Sequence, residues 1–228
     1  MQNTTSLNSL PSGTTALHSH PLPHDPWFQI QRLIAALGLI LAAPMLAILF
    51  VLVKLTSRGP FIYRQQRQGM GGQPFTTYKI RSMVNGADRD LSLARSVQAS
   101  NPKVTGVGRV LRDLKLDELP QLWNIVRGEM AFVGPRPIAI PLQRELEQEI
   151  EGFERRLSVR PGLTNLGQVC VLESADPDRV VEDWRMRFEA ELHHLRNRRP
   201  AYDMLIIFVT LLYVCRKLLK FGWSARRK

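Results

Sequence analysis

Two adjacent carboxylates, Asp117 and Glu118, open the run Asp117-Glu118-Leu119-Pro120-Gln121-Leu122-Trp123-Asn124-Ile125-Val126, an apolar and aromatic stretch bordered by Arg112, Lys115 and Arg127. Carboxylates in such surroundings are costly unless they bind a cation or do chemistry. Arginine offers planar two-pronged contact to phosphate oxygens, and carboxylates offer hard oxygen to a divalent metal. Together they point to a site for a phosphorylated substrate. Lys79, Arg81 and Arg112 are candidates for holding phosphate, and Arg136, stiffened between Pro135 and Pro137, is a fourth. Set against this are plainer readings: surface salt bridges for the cations, and a helix-capping Asp117 beside a solvated Glu118 for the dyad.

Neighbouring residues on a regular helix point about 100° apart. The two carboxylates therefore share one site most easily at a helix start, where Asp117 could also cap. A hairpin should carry Lys79 and Arg81. Phe61 to Arg67 and Phe75 to Arg81 look like short strands around the loop Gln68 to Pro74. The Gly69-Met70-Gly71-Gly72 of that loop lacks the Gly-Lys-Ser/Thr of a nucleotide loop and reads as a turn. Leu142, Leu146, Ile150, Phe153 and Leu157 recur at helical spacing and predict one amphipathic helix; Val181, Trp184, Phe188, Leu192 and Leu195 predict another.

The chain has 228 residues, a formal charge of +11 and a pI near 10.3, so its partners should be anionic. Cys170 and Cys215 are its only cysteines, which excludes a disulfide framework and a structural zinc and fits a reducing compartment. From Leu33 to Val53 no charge interrupts 21 residues, the length of a membrane-crossing helix. A cleaved signal peptide fits poorly, because the span starts late and lacks a basic leader and a small-residue cleavage site. Pro44 at its centre allows either a kinked spanning helix or one that turns back to the leaflet it entered. Of 31 Lys and Arg, 30 lie after residue 53, so the bulk of the chain should be cytoplasmic.

Residues 1 to 26, rich in Ser, Thr, Asn, Pro and His, read as a disordered tail; His18, His20 and His24 find no carboxylate or Cys to complete a metal site. Trp27 and Phe28 suit the membrane interface. Met204 to Val214, 11 residues without charge, is short for a span. With the trailing Arg216, Lys217, Lys220 and Trp223 it reads as a helix lying among headgroups, a buried core helix being the alternative. The fold class expected is α/β and predominantly helical. A membrane-embedded helix over 27–55, for which Pro44 and the family resemblance set out next favour re-entry, should precede a compact cytoplasmic catalytic domain over 56–223 that includes an interfacial helix at 203–221.

Several blocks in order carry a resemblance: Lys79-Ile80-Arg81-Ser82-Met83, Asp117 to Leu122, Gly134-Pro135-Arg136-Pro137, and Arg160-Pro161-Gly162-Leu163-Thr164 with Gln168-Val169. From about residue 29 to 221 the chain resembles the bacterial sugar transferases, the monotopic polyprenyl-phosphate phosphoglycosyl transferases. The resemblance implies transfer of a phosphosugar from a UDP-sugar to polyprenol (undecaprenyl) phosphate with release of UMP, the first membrane step of glycoconjugate assembly. It implies Asp117 as a nucleophile that carries a covalent phosphosugar, Glu118 as its partner, both as ligands of Mg2+, and the Pro135-Arg136-Pro137 element and Gln168 as substrate-binding. It places the protein on the cytoplasmic face of a bacterial inner membrane, among membrane lipids, with homo-oligomers left open.

Four positions depart from the family pattern. Ala43 stands where Ser often precedes the membrane proline, Asn165 ends an element that usually ends in Gly, and His193-His194 occupy a stretch commonly rich in tyrosine. A different class, a non-catalytic membrane-anchored basic module, would need a basic face with interleaved aromatics or a helix-turn-helix pattern. The sequence has neither, which also argues against nucleic acid.

Overall fold

The structure, a computed structural model, describes residues 25–87, 103–170 and 179–225. Most of the expected tail, with His18, His20 and His24, lies outside the described residues, as do Arg226, Arg227 and Lys228.

Helix α1 spans Pro26–Thr56. Asp25 caps it by accepting the Trp27 N–H at 3.0 Å, Pro26 takes the first-turn position where no donor is needed, and Pro44 is accommodated within it. Its buried face repeats every seven residues: Phe28, Ala35, Ala42 and Leu49 in one file, Leu39, Leu46 and Val53 in the other. A seven-residue repeat keeps one stripe of a helix against one partner over many turns. The remaining surface, including Leu33, Leu37, Ile40, Leu41, Ile48 and Leu55, is apolar and exposed. Among the described residues α1 is the one helix long and apolar enough to cross a membrane.

Strands β1 (Ile62–Gln68) and β2 (Pro74–Ile80) form the expected antiparallel hairpin, with Tyr63 opposite Lys79 and Gln65 opposite Thr77. Helix α2 (Gly106–Asp113), a 3-10 turn at Leu116–Glu118 and helix α3 (Gln121–Arg127) follow. Strand β3 (Ala131–Val133) pairs in parallel with β4 (Gly162–Thr164), and the crossover between them is α4 (Ile140–Glu149) with a 3-10 segment at Phe153–Ser158. Helices α5 (Leu166–Cys170), α6 (Val180–Arg196) and α7 (Pro200–Ala225) complete the chain. The chain is thus mainly helical, its strands grouped in two separate pairs.

Three apolar clusters hold these pieces. Ala35 packs with Leu122, Ile125 and Met130, tying α1 to α3; Leu49 and Val53 pack with Ile80 and Leu111, tying the other end of α1 to β2 and α2. The third joins Leu146 and Phe153 to Trp184 and Phe188 of α6. Each fully buried side chain of this size contributes about 1.5–3 kcal/mol.

One expectation is corrected. The helix read through Leu142 to Leu157 stops at Glu149, and Gly152, at φ 72°, turns the chain into the 3-10 segment. A left-handed residue cannot continue a right-handed helix, and Ile150 and Phe153 on either side of the break both lie in the core. Helix α7 buries Asp203 and Ile206, and the Thr210 hydroxyl meets that of Thr164 at 2.8 Å. It exposes Met204, Leu205, Phe208, Leu211, Leu212 and Leu219, so the core-helix alternative is not what forms. Asp203 also gathers three helices: its Oδ1 meets His194 Nε2 at 2.8 Å and its Oδ2 accepts from Trp27 Nε1 at 3.1 Å.

Strands β3 and β4 approach with no room for side chains at their glycines, since a Cβ on Gly162 would collide with the Gly134 backbone. Gly162→Ala should therefore lower stability by about 2 kcal/mol or more, as overpacking against backbone does; a thermal midpoint close to that of the unaltered chain would contradict this close approach.

Candidate active site

Asp117 and Glu118 sit together in the 3-10 turn before α3. Lys115, the one non-glycine residue of positive φ among those described (58°), supplies the corner that separates α2 from this turn. A strained corner of this kind persists where surrounding structure holds it. At about three residues per 3-10 turn, both carboxylates are kept beside the same wall. Only 8 % of Asp117 and 9 % of Glu118 is exposed. Asp117 does not cap α3: Pro120 stands at that position and gives no side-chain cap.

The wall opposite is the hairpin. Lys79 Nζ lies 2.9 Å from Glu118 Oε1, and Arg136 Nη2 lies 3.3 Å from the same oxygen. Among the described residues no hydrogen bond or ion pair reaches the Asp117 carboxylate. Its neighbour is tied down while it is left available. Burial and the adjacent Glu118 push the Asp117 carboxyl up, against the pull of Lys79, Lys115 and Arg112. Burial acts in the same direction on Glu118, but Lys79, Arg136 and Lys115 outweigh it and hold that carboxyl well below the usual carboxylate range. Burial lowers Lys79, and Glu118 partly restores it.

Two residues that build the site were not singled out from the sequence. Arg67 donates to the Pro137 carbonyl and, through Nη2 at 2.8 Å, to Gln65 Oε1. Burial and the neighbouring Arg136 charge pull it down to about 10, where it still carries its proton at neutral pH. The hairpin register held the signal, because Tyr63 faces Lys79 and strand alternation puts Arg67 on the same side. Asn124, with no exposed surface, is the other. Its Nδ2 donates to the Thr76 carbonyl at 2.7 Å and to Glu129 Oε2 at 2.7 Å, and its Oδ1 accepts the Tyr78 N–H at 3.3 Å. These bonds lace α3 to β2, which sets Lys79 against the dyad.

The other expected residues divide. Arg112 is close enough to act on Asp117, and its Nε donates to Ser82 Oγ at 2.8 Å. Pro135 and Pro137 present carbonyls that accept from Gly162 N and Arg67, fixing the loop around Arg136. Arg81 points elsewhere: its Nη2 donates to the Ser57 carbonyl at 2.8 Å and its Nη1 to the Arg58 carbonyl at 3.1 Å, so it closes the C-terminal end of α1. Gln168 lies on α5, its backbone N–H capped by Asn165 Oδ1 at 2.7 Å. Asn165, the departure from the family's glycine, thus starts α5, and it also donates to Glu191 Oε1 at 3.1 Å.

Three cations, Lys79, Arg67 and Arg136, face two carboxylates, with Arg112 and Lys115 behind them. The excess positive charge suits a phosphate-bearing ligand, and the carboxylate with no partner among the described residues suits a nucleophile or a metal ligand.

The sequence matches the model of the bacterial sugar transferase family over residues 28–217, and the chain belongs to that family. It is 37% identical over 199 residues to the Escherichia coli UDP-glucose:undecaprenyl-phosphate glucose-1-phosphate transferase, covering 84% of this chain and 42% of that protein. It is 35% identical over 179 residues to an Aeromonas hydrophila UDP-N-acetylgalactosamine-undecaprenyl-phosphate N-acetylgalactosaminephosphotransferase, covering 78% of this chain and 41% of that protein. With the exopolysaccharide production protein ExoY of Sinorhizobium fredii it shares 38% identity over 197 residues, 80% of this chain and 82% of the relative. Against the first two the chain spans about two fifths of the relative's length.

Replacing Lys79 with Met removes the chief opposing charge from Asp117 and one of the two holding Glu118. If ionised Asp117 is needed, the acid limb of the pH–rate profile should move to higher pH, with a loss of about a hundredfold in kcat/KM at neutral pH. An unmoved acid limb would mean that Lys79 does not set the charge state of this carboxylate.

Proposed function

We propose that this chain is a phosphoglycosyl transferase that moves a phosphosugar from a UDP-sugar to polyprenol phosphate and releases UMP. The observation that carries the reading is the split dyad, Glu118 held by Lys79 and Arg136 while Asp117 stands buried and unpaired among the described residues. The names of the relatives supply the substrate classes.

In this mechanism an Asp117 carboxylate oxygen attacks the sugar-linked phosphorus. The bond from that phosphorus to the bridging oxygen breaks, and UMP leaves with the electron pair. An oxygen of polyprenol phosphate then attacks the aspartyl phosphosugar and frees Asp117. Lys79, Arg136 and Arg67 neutralise the phosphate oxygens throughout, which is most of what phosphoryl transfer asks of a protein. Two steps through one carboxylate spare the site from binding nucleotide and lipid together. Asp117 and Glu118 are the residues that would hold a divalent cation, Mg2+ by preference, because they offer hard oxygen and no Cys or His cluster lies nearby among the described residues. When bound, the cation supplies charge stabilisation at the transferring phosphate.

The topology belongs to the same proposal. Helix α1, at 31 residues, is about 46 Å long, more than the roughly 30 Å of bilayer hydrocarbon. Both of its ends bind the one domain. Trp27 reaches Asp203 and Arg32 reaches the Val126 carbonyl at the start, while Val53 packs on Ile80 and Ser57 receives Arg81 at the finish. A helix crossing to the far side would touch a domain on the near side with one end only. This supports a segment over 27–55 that enters and leaves by the cytoplasmic leaflet, with the catalytic domain over 56–223 on the cytoplasmic face of the bacterial inner membrane and the interfacial helix 203–221 beside it.

UMP release from a panel of UDP-sugars, with polyprenol phosphate omitted and then supplied, tests the activity. Asp117→Asn should reduce turnover by several orders of magnitude, on the order of 10⁴-fold, and excess EDTA should stop the reaction. Near-normal transfer by a purified Asp117→Asn protein would rule out the covalent route, and full activity in EDTA would rule out the metal.

A cysteine placed at Ser9 tests the topology, since a cytoplasmic tail stays unlabelled by a membrane-impermeant reagent in intact cells. Pro44→Leu restores the backbone donor and removes the steric reason to bend, so part of that population should become reactive. Labelling of the unaltered helix from outside would make α1 a single-pass anchor.

A further inference from the structure

Arg156 and Glu191 form an ion pair with 2 % of each residue exposed. Arg156 Nε meets Glu191 Oε2 at 2.9 Å, and Nη2 meets Oε1 at 3.0 Å. Such a pair is weak evidence for stability, because apolar side chains of similar volume often replace one without loss. What the pair holds is more telling. Glu191 Oε1 accepts the backbone N–H of Arg136 at 3.0 Å, and Arg156 Nη2 donates to the backbone carbonyl of Arg136 at 2.7 Å. Both main-chain polar groups of one residue are thereby gripped by the two halves of one buried ion pair.

The grip is itself braced. Arg156 Nη1 donates to Gln143 Oε1 at 3.0 Å, and its guanidinium lies 4.8 Å from the Phe153 ring centre and 5.3 Å from that of Trp184. Pro135 and Pro137 restrict the backbone on either side. The side chain that leaves this clamped backbone is the one whose Nη2 lies 3.3 Å from Glu118.

We infer that Arg156 and Glu191 are a positioning pair that fixes the Arg136 backbone and so aims its guanidinium at Glu118 and at a substrate phosphate. Neither touches the reacting atoms. The break at Gly152 gains a purpose here, since it turns the chain from α4 into the segment that carries Arg156 beneath the Pro-Arg-Pro loop. The inference rests on the proposed transferase reading for the role of Arg136.

The test uses the full chain in lipid nanodiscs. The paired replacement Arg156→Met with Glu191→Leu removes both grips and leaves no unpaired charge, so it should still fold, with a thermal midpoint lowered by the partners lost to the Arg136 backbone, Gln143 and Asn165. Its kcat for UMP release should fall about 10–100-fold, the scale of a misplacement near 1 Å. Added to Arg136→Ala, the same pair should cost nothing further, because the group it positions is gone. Amide hydrogen exchange across 133–138 should rise in the paired variant. Should that variant fail to fold, Arg156→Lys, which keeps the charge opposite Glu191 and loses the forked donor to the Arg136 carbonyl, takes its place in every arm. Unchanged turnover would overturn the inference, as would a loss that multiplies with that of Arg136→Ala. If the unaltered chain releases no UMP from any UDP-sugar, the transferase reading falls, yet the exchange measurement still decides the clamp: unchanged exchange at 133–138 overturns it.

Discussion

Glu118 places a negative charge where water barely reaches, and the arrangement around it follows from keeping that charge. A buried carboxylate with no partner is among the costliest features a fold can carry, so two cations must be delivered to it from separate parts of the chain. Lys79 arrives on β2, which Asn124 fastens to α3 through the Thr76 carbonyl and the Tyr78 N–H. Arg136 arrives on a loop between β3 and α4. The hairpin, the turn after Lys115 and the short parallel strand pair are each needed to bring these three side chains to one point.

The same charge distribution separates two chemically identical neighbours. Glu118, in contact with both cations, stays ionised well below its usual range, whereas Asp117 is pushed the other way by burial and by Glu118 itself. Glu118 is fixed among the surrounding cations, and the Asp117 carboxyl is left with no hydrogen bond or ion pair among the described residues. Divergent environments for paired carboxylates are how one fold gives them different tasks.

What could be read from the sequence was local. The dyad, the hairpin, the apolar helix and the helix at Val180–Arg196 all announce themselves within a few residues, through composition or period. Arg67 was legible only after the hairpin register was known. Asn124, Arg156 and Glu191 were not, because each acts through a backbone group distant in the chain, and periodicity carries no record of that. Arg81 shows the opposite error of inference: one strand period beyond Lys79, it lies past the end of β2 and turns to the Ser57 carbonyl. Leu142 to Leu157 had the right spacing for one helix, yet Gly152 takes a left-handed conformation that ends it, which spacing alone does not record. The departures at Asn165 and His194 turn out to be structural, one starting α5 and the other binding Asp203.

The bond from Trp27 to Asp203 joins residues 176 positions apart. Among the described residues α1 precedes α7, so Trp27 is made long before Asp203 exists. The inner stripe of α1 must stay uncovered until α7 has been made and Asp203 can close the connection. Contacts this distant in the chain are the kind that form slowly. An apolar helix is therefore made before the core that covers it is complete, and solubility of the nascent chain becomes a matter of where α1 rests while it waits.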